Sequence, residues 1–451
     1  MSSVLLIYPF FRRSLDRSRF RFPPLGPAYV AASVREAGHD VRLLDCTFLS
    51  RERARALALA ARADVVGIYC MATMREDAEW FAHQLRGHCG LLVAGGPLPT
   101  CEPETFLAAF DVAVRGEGEQ TMVDLLAAHA AGADLGAVPG VVVAAEGGGA
   151  AAAGPPRPFA PDLDALPFPA RDLLPNAAYI SHGRRRYGYA VTTVMSSRGC
   201  PFACEFCSNV VFGSSYRERS PESVVDEVEQ ALTLGYDRIS FSDDVFTMRP
   251  ERVVAVCDEV ERRGLRFAWE CLARVDGIDC ETAEAMRRAG CRTVFFGIES
   301  GSDEILRVMR KGITAAQAHR AVWAAHDAGL EVGAFFILCY PGDTDETVLE
   351  TLRFAGSLPL DYVGFSMPYP LPGTPLAERM ADRVTGESRP DGSLLMNQQL
   401  TYESEFSAAK MRFAILAGKG QFVLRRRLGR FGPAAARLMR APTEALFRRL
   451  R

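Results

Sequence analysis

Cys200, Cys204 and Cys207 fall inside one short stretch, GCPFACEFCSN, at the spacing C-x3-C-x2-C. Thiolates are ligands for soft metals, and three of them can hold a four-iron four-sulfur cluster while leaving one iron without a protein ligand. A fourth thiolate would close such a cluster for electron transfer. An open iron can instead chelate a substrate, by the logic that keeps a position free in catalytic zinc sites. Two blander readings stand beside this one: three buried structural thiols, or part of a zinc site. Zinc normally wants a fourth ligand, yet the next cysteine after the triplet is Cys257 and the next histidine is His319.

The elements that must position these thiols read as two series of alternating strands and helices. The first predicts strands at Val4–Tyr8, Val41–Leu44, Val65–Cys70, Leu91–Ala94 and Val112–Val114, with helical stretches such as Ala28–Ala37 closing on Gly38. That alternation implies a doubly wound, Rossmann-like α/β domain over residues 1–145. A Gly/Ala/Pro-rich stretch follows and reads as an extended linker, 146–187. The second series predicts strands at Val191–Met195, Arg238–Phe241, Phe267–Cys271, Thr293–Ile298, Val332–Leu338 and Tyr362–Phe365. The helices between them are Pro221–Leu234, Glu251–Arg263, Glu281–Ala289, Thr314–Ala328 and Asp345–Ala355. Six such units make a partial (β/α)6 barrel over 188–385, and barrel chemistry sits on loops at the C-terminal ends of strands. The triplet follows the first of these strands. Residues 386–451 read as a basic helical segment.

Composition narrows the class. Hydrophobic residues make up 48% of the 451-residue chain, enough for sizeable cores. A net charge of −3 and a pI near 6.2 argue against a nucleic-acid partner. The start, MSSVLLIYPFFRR, lacks the pattern of a signal peptide, and no apolar run reaches the ~18 residues of a membrane span. A cytoplasmic location is therefore expected, with the 12 cysteines as thiols or metal ligands rather than disulfides. The Ala/Arg-rich composition suggests a bacterial source.

With an aromatic, Phe206, just before its third cysteine, the triplet resembles that of the radical S-adenosylmethionine (SAM) enzymes. The resemblance implies that Cys200, Cys204 and Cys207 hold a [4Fe-4S] cluster, and that SAM fills the vacancy at the fourth iron. Further strand ends fit it. FSDDVFT places Ser242, Asp243 and Asp244 after the second strand, WECLARVD places Arg274 after the third, and FFGIESGSDEIL places Glu299 and Ser300 after the fourth. FILCYPGDT brings Pro341 after the fifth, with Cys339 where relatives commonly carry glycine; Cys339 reads as a packing thiol. With Phe206, these residues are the implied SAM contacts. Helix N-capping by the Asp pair is the bland alternative.

The first half has its own resemblance. PPLGPAYVAASVREAGHDVRLLD, VAGGPLPTCEPETF and DVAVRGEGEQTMVDLL look like the cobalamin-binding domain found ahead of the barrel in class B radical SAM proteins. Implied cobalamin contacts are Leu25, Gly26, Thr73, Gly95, Gly96, Gly116 and Glu117. Glycines suit the role because a backbone without side chains lets a corrin ring approach. Together the two resemblances imply a cobalamin-dependent radical SAM methyltransferase. It would move a methyl group from methylcobalamin to an unactivated carbon of a small molecule after a 5′-deoxyadenosyl radical abstracts hydrogen. An external electron donor of flavodoxin or ferredoxin type is implied as partner. The alternatives are a rearrangement, ring-contraction or cyclisation enzyme on the same cofactors, and a non-catalytic cobalamin or SAM sensor. A methylthiotransferase fits less well, because Cys46, Cys70, Cys89 and Cys101 lack the motifs of a second cluster.

The loop after the first strand contains no histidine, and His39, His83, His88 and His129 fall toward the opposite edge of the predicted sheet. Cobalamin is thus expected without a protein histidine beneath the cobalt. The tail FVLRRRLGRFGPAAARLMRAPTEALFRRLR interleaves Arg with apolar residues, which suits docking on the barrel and, as the less favoured alternative, a membrane surface.

Overall fold

The computed structural model describes residues 1–11, 21–144, 151–383, 402–428 and 432–450. Its first sheet comprises β1 (Ser3–Tyr8), β2 (Asp40–Asp45), β3 (Val65–Tyr69), β4 (Leu91–Gly95), β5 (Val112–Val114), β6 (Val141–Val143) and β7 (Ala152–Ala153). The spatial order is β2-β1-β3-β4-β5-β6-β7, parallel through β5, and the order reverses between β1 and β3. Helices α1 (Leu25–Glu36), α2 (Arg51–Ala61), α3 (Arg75–Leu85), α4 (Pro97–Cys101) and α5 (Glu119–Ala131) connect these strands and cover the faces. In such sheets ligands gather outside the carboxyl ends of the strands at the reversal point.

The predicted parallel strands are all present. The antiparallel pair β6 and β7 was not expected, and β7 lies in the stretch read as linker. Helix α6 (Asn176–Tyr187) lies there too. Composition hid these pieces because their order comes from long-range contact: Ala170 N–H donates to Ala28 O at 2.9 Å, and Tyr179 OH donates to Asp45 at 2.7 Å.

The second sheet runs β8 (Val191–Val194), β11 (Arg238–Phe241), β12 (Ala268–Ala273), β13 (Cys291–Glu299), β14 (Glu331–Ile337) and β15 (Tyr362–Ser366), all parallel. A small antiparallel ribbon, β9 (Ser197–Arg198) with β10 (Arg217–Glu218), follows β8. Helices α7 (Pro221–Thr233), α8 (Pro250–Arg262), α9 (Cys280–Arg288), α10 (Asp303–Val308), α11 (Ala315–Asp327) and α12 (Asp345–Ser357) lie outside. Alternate strand residues, among them Trp269, Cys271, Val294, Phe296, Val332 and Phe336, are buried against those helices. The strands at the two ends of this sheet do not pair with each other, so the barrel is open.

The tail docks. After α13 (Pro375–Arg379), helices α14 (Ala408–Arg427) and α15 (Gly432–Arg449) pack on each other and on α12. Met411, Ala414 and Phe447 are buried, and the Arg353 guanidinium forks onto Glu444 at 2.8 and 2.7 Å. Among the described residues no helix is long and apolar enough to cross a membrane.

One charged knot holds sheet, linker and barrel together. Glu227 on α7 is fully buried between Arg171 and Arg219, and accepts from Tyr29 OH of α1 at 3.2 Å. Arg171 also donates to Thr192 Oγ1 at 3.0 Å and Thr193 O at 2.7 Å. Removing one partner of a buried pair leaves the other charge uncompensated and typically costs about 3–5 kcal/mol. Glu227→Gln should therefore lower the thermal midpoint of both halves together, while exposed Glu222→Gln leaves it unchanged. An unshifted midpoint in Glu227→Gln would show that the knot contributes nothing.

Candidate active site

The loop carrying the three thiols is held from below by strand ends. Gly199 opens it in the left-handed region (φ +83°), and a Cβ there would lie 2.3 Å from Ser215 O, so the position admits only glycine. Asp243, at the end of β11, accepts from Ser196 N–H at 2.6 Å, Ser197 Oγ at 3.0 Å and Ser196 Oγ. Asp244 accepts from Gly199 N–H at 3.1 Å. Neither aspartate caps a helix: α8 starts beyond Arg249 with no side-chain cap.

The residues between the thiols anchor downward into the barrel. The Arg274 guanidinium lies 3.4 Å over the Phe202 ring and is forked by Asp276 at 2.9 and 2.8 Å. Glu205 is buried, accepts from Tyr340 OH at 2.7 Å and pairs with Arg379 at 2.9 Å. Phe206 packs edge-on to Tyr340, with Lys311 Nζ 5.8 Å from its ring. Cys207 is exposed at the surface, yet the protein atoms around its sulfur desolvate the thiol and, reinforced by the neighbouring Cys204 and Cys200, push it up to about 11. Burial also raises Cys200, opposed by the Phe202 amide. Three thiols within electrostatic reach of one another, on a loop braced through its other side chains, fit a cluster with three protein ligands. Among the described residues no three of His, Cys, Asp and Glu gather about a single-ion position, the three thiols included.

The expected SAM contacts divide. Ser242, half-buried, and Asp244, exposed, stand at the end of β11. Glu299 ends β13 in a left-handed conformation (φ +72°) and pairs with Lys311 at 3.2 Å. Pro341 follows Tyr340, its carbonyl 3.5 Å from Arg379. Asp243 and Ser300, by contrast, spend their side chains as struts. Ser300, fully buried, shares a hydrogen bond with Thr351 Oγ1 at 2.9 Å and accepts from Ser302 N–H at 3.1 Å. Arg274 is likewise occupied beneath the loop. The sequence reading missed Phe202, Glu205, Lys311, Tyr340 and Arg379. Except for Lys311, paired with Glu299 twelve residues earlier, their partners lie far off in the chain, and only the charge of Glu205 inside a thiol motif hinted at a role.

A cleft of about 270 Å³ opens at the reversal point of the first sheet. Gly26, Gly95, Gly96 and Gly116 line it, with Tyr29 and Tyr69, and the barrel closes it with Met195, Arg198, Val211 and Phe212. A Cβ placed on Gly95 would meet nothing within 4 Å, so bare backbone faces open space, as the approach of a corrin requires. Leu25 and Thr73 are not among the lining residues, since Leu25 begins α1 and Thr73 sits in the turn before α3. Glu117 lines the cleft, but its carboxylate is taken by Arg198 at 3.0 Å, Arg217 at 2.9 Å and Ala160 N–H at 2.8 Å. Arg198, two residues before Cys200, also pairs with Glu119 at 2.7 Å and lies between the Tyr29 and Phe212 rings at 5.0 and 5.1 Å. Sequence alone did not single out Arg198.

The histidines lie where the topology puts them. His39 Nδ1 accepts from Ser2 N–H at 3.2 Å, ahead of β1, and the His129 ring lies 3.5 Å from the Cβ position of Gly90, ahead of β4. His83 is in the last turn of α3, and His88 follows that helix. Part of the loop after β1, residues 12–20, falls outside the described residues.

Residues 194–355 match the radical SAM superfamily, and residues 15–126 match the B12 binding domain. An uncharacterized methyltransferase of Pyrococcus horikoshii is 36% identical over 365 residues, covering 79% of this chain and 78% of that protein. The anaerobic magnesium-protoporphyrin IX monomethyl ester cyclase of Rubrivivax gelatinosus is 30% identical over 396 residues (84% and 70%). The hopanoid C-3 methylase of Methylococcus capsulatus is 30% identical over 370 residues (78% and 68%). Two solved structures share the fold. TsrM, a radical SAM methyltransferase of Kitasatospora setae with cobalamin and a [4Fe-4S] cluster bound, has TM-score 0.73 at 21% identity over 86% of this chain and 78% of its own. The cobalamin-dependent radical enzyme OxsB has TM-score 0.79 at 18% identity over 99% and 72%.

Two measurements follow from this geometry. Electron paramagnetic resonance of cob(II)alamin-loaded protein should show no nitrogen splitting from a protein histidine. A splitting that vanishes in the His39, His83, His88 or His129 alanine variant would overturn the topological reading. The second concerns Cys339, buried with its pKa raised by burial and held at φ +61°. A side chain in that region costs roughly 1–2 kcal/mol. Cys339→Gly, which relieves that cost, should be about 1 kcal/mol more stable than Cys339→Ala in denaturant titrations, reversing the usual order. Cys339→Ala proving the more stable would show that the turn is unstrained.

Proposed function

Because the chain belongs to the cobalamin-binding radical SAM enzymes, we propose that it transfers a methyl group to an unactivated carbon of a small molecule. The observation that carries this reading is the clamp at Arg198: one side chain joins the wall of the cobalamin cleft to the start of the thiol loop. A methyl source and a radical source would thereby open onto the same mouth. When bound, cluster and SAM supply a 5′-deoxyadenosyl radical able to take hydrogen from carbon, and cobalamin supplies the methyl group.

In this reading Cys200, Cys204 and Cys207 hold the cluster. Ser242, Asp244 and Glu299 offer acceptors to a cationic or hydroxylated ligand at the mouth, and Lys311 holds Glu299 in place. Glu205, Tyr340, Arg379 and Arg274 keep the thiol loop rigid, so that the open position is presented at a fixed height. Gly26, Gly95, Gly96 and Gly116 let the corrin approach. The second reading, a transformation without methyl transfer, draws support from the Rubrivivax cyclase at 30% identity.

Reconstituted protein should carry about four irons per chain, and replacing the three cysteines by alanine should remove them together with SAM cleavage. About eight irons would indicate a second cluster. Turnover should yield both 5′-deoxyadenosine and S-adenosylhomocysteine; deoxyadenosine alone would favour the second reading.

A further inference from the structure

The inner face of the barrel is not the packed core that closed eight-stranded barrels contain. In those, bulky branched side chains fill the interior in layers. Here bulk alternates with glycine from strand to strand. Phe295 stands in register between Leu272 and Gly333, and Phe335 between Gly297 and Gly364. A Cβ on Gly333 would lie 2.3 Å from the Phe295 ring, and one on Gly364 would lie 2.7 Å from the Phe335 ring. Each ring therefore rests on the bare backbone of the next strand. The two rings are nearly parallel, 17° apart at 5.8 Å, and Tyr362 adjoins Phe295 at 5.9 Å.

The result is a level apolar shelf, and it is uncovered. Leu272 is 43% exposed and Phe335 42%, although both lie on inner strands of a parallel sheet, whose two faces are normally covered. Apart from Asp244, the exposed acceptor at the mouth, the carboxylates near the ends of the shelf are paired. Towards the mouth Lys311 meets Glu299 at 3.2 Å. Towards the floor Glu331 takes Arg292 at 3.1 Å, Thr293 Oγ1 at 3.1 Å and Tyr362 OH at 3.1 Å, while Glu270 faces Arg238 at 3.9 Å. The Arg238 Nε at the floor has no hydrogen-bond partner, but the rings and Leu272 themselves offer a charged substrate group no counter-charge, and under such a group they would stay wet.

We propose that this shelf binds the substrate, and that the substrate presents to it a flat, uncharged apolar skeleton, aromatic or alicyclic. The inference rests on the reading of the barrel mouth as the reaction site and adds the class of molecule it takes. Leu272 and Phe335 become specificity-determining residues, with Gly333 and Gly364 keeping the surface level.

The test is equilibrium dialysis of 2-naphthol, a flat aromatic that is neutral at neutral pH, against cluster-reconstituted protein loaded with hydroxocobalamin so that the cobalamin cleft is filled. Saturable binding is expected, weakened at least about tenfold in Leu272→Gln and Phe335→Gln, which is about 1.4 kcal/mol. Phe335→Leu, which keeps the apolar surface, should stay within about threefold of the parent. Leu438→Gln, on the exposed face of the tail, should change nothing. Iron content and SAM cleavage without substrate report that each variant is folded. Absence of saturable binding, affinity unchanged from the parent in both Gln variants, or loss only in Leu438→Gln overturns the shelf. The two SAM products are assayed separately. A probe that responds as expected in a protein yielding only deoxyadenosine leaves the shelf standing and removes methyl transfer; the converse removes the shelf alone.

Discussion

Everything at the mouth depends on where Arg198 goes. Its guanidinium is almost fully buried, takes Glu117 from the turn before α5 and Glu119 from the first residue of that helix, and lies between two aromatic rings, one from each sheet domain. Burying a charge is costly unless it is paired and hydrogen-bonded, and here the pairing spans the domain boundary. The energy that satisfies Arg198 is available only when the first sheet's carboxyl edge faces the thiol loop. Any relative slide of the domains would expose an Arg and two Glu without counter-ions in a partly apolar seam. Fixed orientation, rather than tight area burial, is what such a pair supplies.

The knot around Glu227 does the same work one layer deeper. Its two arginines come from the linker and from the residue that follows β10, and its tyrosine from α1. Together the two networks make the linker part of the scaffold. This explains how a Gly/Ala/Pro-rich segment can carry an ordered strand and helix: its polar groups are satisfied by residues far along the chain, not by its own composition.

That distinction also decides what could be read from sequence. Parallel strands and their helices were legible because their signal is local, in apolar runs with the right period and a cap or glycine at the end. Strand-end residues were legible as a set, since barrel topology sends them all to one rim. Their individual duties were not. An aspartate such as Asp243 and a serine such as Ser300 look the same in sequence whether they face a ligand or brace a turn, and the structure uses both as braces. Glu205, flanked by cysteines, carries its meaning in Tyr340 and Arg379, more than a hundred residues away. Pairings of that kind leave no period and no motif.

Backbone strain points to the same place as the buried charge. Among the described residues four non-glycines have positive φ, and three of them, Glu299, Arg310 and Cys339, surround the thiol loop. Glu299 meets Lys311, the residue after Arg310; Met309 O accepts from Glu205 N–H at 2.9 Å; and Cys339 precedes the tyrosine that binds Glu205. Such conformations persist only where the surroundings over-determine them. Here the surroundings are the contacts that grip the loop, so the strain is carried by the turns that aim the gripping groups. Glycine at these positions would relax the turns at the cost of a freer backbone. With side chains present, each turn has fewer conformations open to it, so the groups that grip the thiol loop are aimed by a more restricted backbone.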